Sequence, residues 1–181
     1  MLGRFELLIS ILVPWIATGA AYGLSRRRSA NKLPPGSIVV ETPEPKLSRK
    51  APGVWWSRAG VNFGHMLNDL TLMLVVVLCI FDAWKDVPNF LVIPLPYWLN
   101  WLGMFGVWLL FAWEAAIAMY NVNFSPNYKS MTARYVLATG GPYRIVRHPT
   151  YIHYAAMAIF VFLATGIWVP LIGSIGWIAL P

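Results

Sequence analysis

The sequence points to an all-α integral membrane protein of about five transmembrane helices, forming a single domain over residues 1–181. Composition is the first reason. Of the 181 residues, 58% are hydrophobic and 12% are charged, whereas a soluble domain carries about 25% charged residues. Mean hydropathy is +0.58. The second reason is arrangement: apolar runs of span length alternate with connections that hold most of the charge and proline. The third is the 10 tryptophans, a residue that anchors at the membrane interface. No internal repeat is present, and no strand-like alternation calls for a sheet.

The first span covers about Phe5 to Leu24, near the ~20 residues that cross a bilayer. Pro14 is tolerated in such a helix. Arg26-Arg27-Arg28 follows at once, which marks a retained anchor rather than a cleaved signal peptide. Residues 25–59 form a polar connection that Pro34, Pro35, Pro43, Pro45 and Pro52 keep from becoming a long helix. Its bases are Arg26, Arg27, Arg28, Lys32, Lys46, Arg49, Lys50 and Arg58, opposed by Glu41 and Glu44. Trp55 and Trp56 suit the headgroup level.

The second span is about Val61 to Ala83, polar at first with His65, Asn68 and Asp69, then strongly apolar from Leu70 to Phe81. A short connection with Asp82, Lys85, Asp86 and three prolines leads to the third span, about Tyr97 to Tyr120, which carries the charge of Glu114. Residues 121–149 add Lys129, Arg134, Arg144 and Arg147 without an acid. The fourth span runs from about Thr150 to Trp168, and a fifth begins near Val169. Bases crowd the first and third connections, while 84–96 is nearly neutral. The positive-inside rule then puts 25–59 and 121–149 in the cytoplasm, with the N-terminus and 84–96 outside. The net charge of +7 lies beside hydrophobic spans, so its partners are anionic lipid headgroups rather than nucleic acid. Cys79 is alone in the chain, sits in an apolar run and can form no internal disulfide; it reads as a small core residue.

One stretch concentrates chemically capable side chains: Gly140-Gly141-Pro142-Tyr143-Arg144-Ile145-Val146-Arg147-His148-Pro149-Thr150-Tyr151. Two glycines allow a turn and a close backbone approach. Pro149 suits the first turn of the fourth helix. By composition alone this is a basic flank of a membrane helix. In order, it resembles the GPYR-x-x-RHP-x-Y signature of the isoprenylcysteine carboxyl methyltransferase family, integral-membrane enzymes that use S-adenosylmethionine. Asn123-Phe124-Ser125 and Leu137-Ala138-Thr139 also resemble the family pattern, and the likeness covers about residues 121 to 170. Tyr135 departs from it, standing where many members carry a histidine.

The resemblance implies a bacterial or archaeal multi-pass protein of the cytoplasmic membrane, with a cytoplasmic cofactor loop before the fourth helix. It implies cofactor-binding roles for Leu137, Gly141, Tyr143, Arg147, His148, Pro149 and Tyr151. Arg147 would pair with the cofactor carboxylate, while Arg144 reads as a headgroup contact. No metal is implied. The expected reaction is methyl transfer from S-adenosylmethionine to a lipophilic or lipid-linked substrate, on a carboxylate. That nucleophile is already anionic, so alignment and water exclusion carry the catalysis. Methylation of a phospholipid amine or a thiol stays open, as does a non-catalytic homologue. Asp69 and Glu114 are the candidate catalytic residues, because an ionisable group inside a span faces a cavity or a partner. His65 shares a helix face with Asp69.

From Val169 to Pro181 the apolar run reaches ~20 Å at helical rise, short of the ~30 Å hydrocarbon core. The family's fifth helix is longer and leads to a cytoplasmic segment, so the expectation is a truncated chain whose cofactor pocket is open on one side and which binds S-adenosylmethionine weakly or not at all. Charge placement makes the first testable statement. In a Cys79-free background, an impermeant thiol reagent applied to intact cells should label Pro88→Cys and not Val40→Cys. The reverse pattern would invert the topology.

Overall fold

The computed structural model describes residues 2–29, 32–41, 66, 69–81, 83, 86–122 and 134–172. Within these the chain is mostly helical. The helices are α1 (Arg4–Ser29), α2 (Asp69–Ile80), α3 (Tyr97–Tyr120) and α4 (Pro149–Thr165). Two of them, over Arg4–Ser25 and Tyr97–Tyr120, are long and apolar enough to cross a membrane; α2 and α4 are shorter apolar helices. Helix α3 has the limits read from the sequence. Helix α1 runs on past Leu24, and Pro14 does not break it. Residues 173–181, which hold most of the expected fifth span, lie outside the described residues, as do His65, Asn68, Trp55, Trp56 and Asn123-Phe124-Ser125.

The all-α expectation needs one correction. Two short strands, β1 (Ser37–Glu41) and β2 (Arg134–Ala138), pair antiparallel, with Ser37 opposite Ala138 and Glu41 opposite Arg134. Each strand is five residues long and rich in β-branched or aromatic side chains, Ile38-Val39-Val40 and Tyr135-Val136. Their pairing brings the two basic connections to the same end of the helices.

Helix directions follow from the polar contacts. Thr18 Oγ1 donates to the Phe111 carbonyl (3.2 Å) and Ser25 Oγ to the Ala118 carbonyl (2.6 Å). The pairs advance seven residues on each helix, so α1 and α3 run parallel. Asn100 Nδ2 donates to the Leu163 carbonyl (2.9 Å) near the start of α3, and Trp113 Nε1 to the Pro149 carbonyl (3.3 Å) near its end. Helices α3 and α4 are therefore antiparallel. The later half of α2 packs Val75, Val76 and Cys79 among Leu2, Leu7, Ile11, Met104, Ala164 and Ile167, while Leu72 reaches the Val107–Phe111–Met157–Val161 cluster. Cys79 is buried and free, in the core position expected of it.

Two glycines set the α3–α4 distance. A Cβ on Gly103 would overlap the backbone of Leu163 and Ala164, and one on Gly106 would enter the Phe160 ring. Small residues at such contacts let helices approach closely. Helix α4 ends at Thr165, three residues before the sequence reading placed it, because Gly166 takes a left-handed φ of 77°. The chain beyond it pairs with the loop before α3. Ile93 N donates to the Gly166 carbonyl (2.9 Å) and Trp168 Nε1 to the Phe90 carbonyl (2.9 Å).

Gly19 and Gly23 on α1 have nothing within 4 Å of an added Cβ. Gly19→Ala and Gly23→Ala should each stabilise the protein by about 0.5–1 kcal/mol through helix propensity. Gly103→Ala should destabilise it despite the same gain. Denaturant titration in detergent checks the sign, and a stabilising Gly103→Ala would remove the close α3–α4 contact.

Candidate functional site

Helix α3 carries Glu114 into the gap between α1 and α4. On one side the Tyr22 hydroxyl of α1 donates to Glu114 Oε1 at 3.2 Å. On the other, His153 Nε2 of α4 lies 3.6 Å from Glu114 Oε2, an ion-pairing distance when the imidazole is protonated. The His153 side chain is 2% exposed and that of Glu114 16%. The His153 ring meets Tyr154 edge-on at 4.9 Å. Asp69, exposed at the start of α2, lies within electrostatic reach of Glu114 and Tyr154. Four helices thus contribute polar groups at one level of an otherwise apolar bundle. Asp69 and Glu114 influence each other electrostatically, with no hydrogen bond between them among the described residues, whereas Tyr22, His153 and Tyr154 were missed. The signal was available for His153: it is an ionisable group inside an apolar run, as Glu114 is.

The signature stretch sits at the same end. The amide and Oγ1 of Thr139 both donate to the Gly36 carbonyl, at 2.9 and 2.7 Å. Gly141–Arg144 forms a 3-10 turn entered at Gly141 with φ 56°. An added Cβ on Gly140 would overlap the Pro35 carbonyl, and one on Gly141 the Tyr120 ring. The close approach that these glycines permit is made to the protein itself. Tyr143 Oη accepts from Asn121 Nδ2 at 2.6 Å. Burial pushes the Tyr143 phenol above its ordinary value, and the Asn121 bond opposes that. Tyr143 also lies within electrostatic reach of Tyr22, which links the turn to the Glu114 cluster. A second link is the Trp113–Pro149 bond, since Trp113 adjoins Glu114.

Beyond the turn, Arg144, Arg147 and His148 are exposed. The His148 ring stacks on Tyr151 with centroids 5.4 Å apart and planes 24° from parallel. Pro149 occupies the first turn of α4, as anticipated. Leu137 stands apart from this group, in β2 directly opposite Ile38. The side chain of Tyr135 lies outside the described residues. Comparison with family models, curated proteins and solved structures finds no match in any of the three. Among the described residues no group of three or more His, Cys, Asp or Glu is arranged to hold a metal ion.

Chemically, the exposed stretch offers stacked rings, a guanidinium and a fixed turn, a set that suits a planar heterocycle and an anion. The Glu114 cluster offers carboxylates backed by an imidazole and phenols, a set that holds a proton or a cation. The pairing of Tyr22 with Glu114 is testable. Tyr22→Phe should lower unfolding free energy by about 1 kcal/mol, the scale of hydrogen bonds between membrane helices. Combined with Glu114→Gln, the loss should fall short of the sum of the single losses. Strict additivity would show that the two side chains do not act as a pair.

Proposed function

We propose that the chain is a multi-pass membrane methyltransferase that uses S-adenosylmethionine and acts on a lipophilic substrate, with a carboxylate as acceptor. About five spans place residues 25–59 and 121–149 on the cytoplasmic side, where the cofactor is dissolved. The observation that carries the reading is the position of the GPYRIVRHPTY stretch: it presents Arg147, His148 and Tyr151 to solvent at the bundle end that also holds Glu114.

Those residues fit the group. S-adenosylmethionine has a purine ring and a carboxylate, and the exposed stack and the Arg147 guanidinium match them in kind. When bound, it supplies an electrophilic methyl group on a sulfonium. Arg147 pairs with its carboxylate, and His148, Tyr151 and Tyr143 contact the adenosine part. Gly141 and Pro149 fix the backbone on either side, and Leu137 is carried with them by resemblance. Asp69 and Glu114 line the reaction cavity at the bundle end, and the surrounding apolar helices exclude water there.

A second reading, methylation of a phospholipid amine or a thiol, is favoured by the Glu114–His153 pair. Such acceptors release a proton on methylation, and a carboxylate acceptor does not. A third, a non-catalytic homologue, is favoured by the filled faces of Gly140 and Gly141, which account for both glycines without a ligand.

Binding of labelled S-adenosylmethionine to the purified protein, even weak, separates an enzyme from a non-catalytic homologue, and a transferred methyl should leave as methanol in base. Absence of binding would leave the non-catalytic reading, and a base-stable methyl would select the amine or thiol. Arg147→Ala should weaken binding by ~2 kcal/mol or more, about thirtyfold, and Arg144→Ala far less. Equal effects would reduce the stretch to a basic flank. Asp69→Asn and Glu114→Gln should slow turnover with binding retained. Loss of folded protein instead would make both residues structural.

A further inference from the structure

The two-stranded ribbon leaves an apolar face uncovered. Ile38 and Leu137 are direct cross-strand partners, so their side chains share one face. They are 52% and 45% exposed, and Ile145, just past the 3-10 turn, is 74% exposed. At the end of α1, ahead of β1 and in the 3-10 turn after β2, the chain also exposes Arg27, Arg28, Lys32 and Arg144. A ribbon of two strands is marginal in water without a further surface to pack on. Its Gly36–Thr139 end is tied down by the Thr139 bonds and by Gly140 and Gly141 packed on Pro35 and Tyr120.

We propose that this ribbon, with Ile145 and the bases Arg27, Arg28, Lys32 and Arg144, seats on the anionic phospholipid headgroups of the bilayer that the helices cross. Charge and geometry both select that occupant. The bases match phosphate headgroups. Isolated aliphatic side chains beside them match the shallow acyl boundary, where interfacial elements insert by roughly 5–10 Å. The tied end of the ribbon also packs, through Gly140 and Gly141, on Tyr120 at the end of α3, which the membrane reading places at the bilayer surface. The proposal rests on that reading and not on methyl transfer. It gives Leu137 a lipid contact in place of a cofactor contact.

The full chain is reconstituted into vesicles of phosphatidylcholine, with and without phosphatidylglycerol. An environment-sensitive dye is attached in a Cys79→Ser background through Ile38→Cys, Ile145→Cys or, on the exposed face of α3, Phe105→Cys. Spin-labelled lipids that quench at headgroup depth should quench the dye at 38 and 145 in vesicles containing phosphatidylglycerol, about threefold or more above phosphatidylcholine alone. Changing Arg27, Arg28, Lys32 and Arg144 together to Gln should return the signal to the phosphatidylcholine value. A water-like dye at 38 and 145, with the dye at 105 in lipid, overturns the proposal. So does equal quenching in the two kinds of vesicle. A water-like dye at 105 overturns the membrane reading and this seat with it, while leaving cofactor binding to be judged by its own assay.

Discussion

A carboxyl group cannot be left alone among apolar helices, because removing it from water without a partner costs more than one core contact returns. Glu114 meets that demand by taking partners from two different helices, Tyr22 of α1 and His153 of α4. The consequence spreads through the bundle. Tyr22 can reach Glu114 only if α1 lies parallel to α3 in one register, the register that also seats Thr18 and Ser25 on the Phe111 and Ala118 carbonyls. His153 can reach it only if α4 lies as close as Gly103 and Gly106 allow. Hydrophobic burial draws these helices together without choosing a register. The polar contacts choose it.

At the far end of the bundle no such cluster is present among the described residues. The contacts there combine backbone pairs between the loop before α3 and the chain after Gly166 with side-chain bonds from Trp168 to Phe90 and from Tyr97 to Glu6. The two ends therefore differ in kind. One is closed largely by main-chain hydrogen bonds. The other combines a ribbon, a turn and the buried Glu114 cluster.

Much of this was legible residue by residue. Tyr97 to Tyr120 reads as a helix because 24 residues carry a single charge between proline and asparagine. Pro149 announces the start of α4 because its ring suits a first turn and little else nearby. Glu114 and Asp69 stand out because an acid in an apolar run needs a reason. The strands were not legible. Five residues are too few to show a period, and SIVVE finds its partner RYVLA across two helices, so nothing local distinguishes it from a loop. The glycine pair was legible as a close approach but not as to what approaches: Tyr120 and Pro35 are remote in sequence from each other. His153 was legible by the same rule as Glu114, being an ionisable group inside the fourth apolar run.

The pairing of β1 with β2 has a consequence for how the chain is made. Thr139 bonds to Gly36 across 103 residues. At a synthesis rate of about 5–20 residues per second, β1 waits on the order of 5–20 s for its partner. During that interval it is an exposed apolar edge, the kind of strand that pairs with whatever is near. The basic residues ahead of it, Arg27, Arg28 and Lys32, keep that edge in a strongly charged neighbourhood while it waits. The ribbon can close only after α3 has been made, and its second strand leaves the ribosome before α4, the helix that completes the Glu114 cluster.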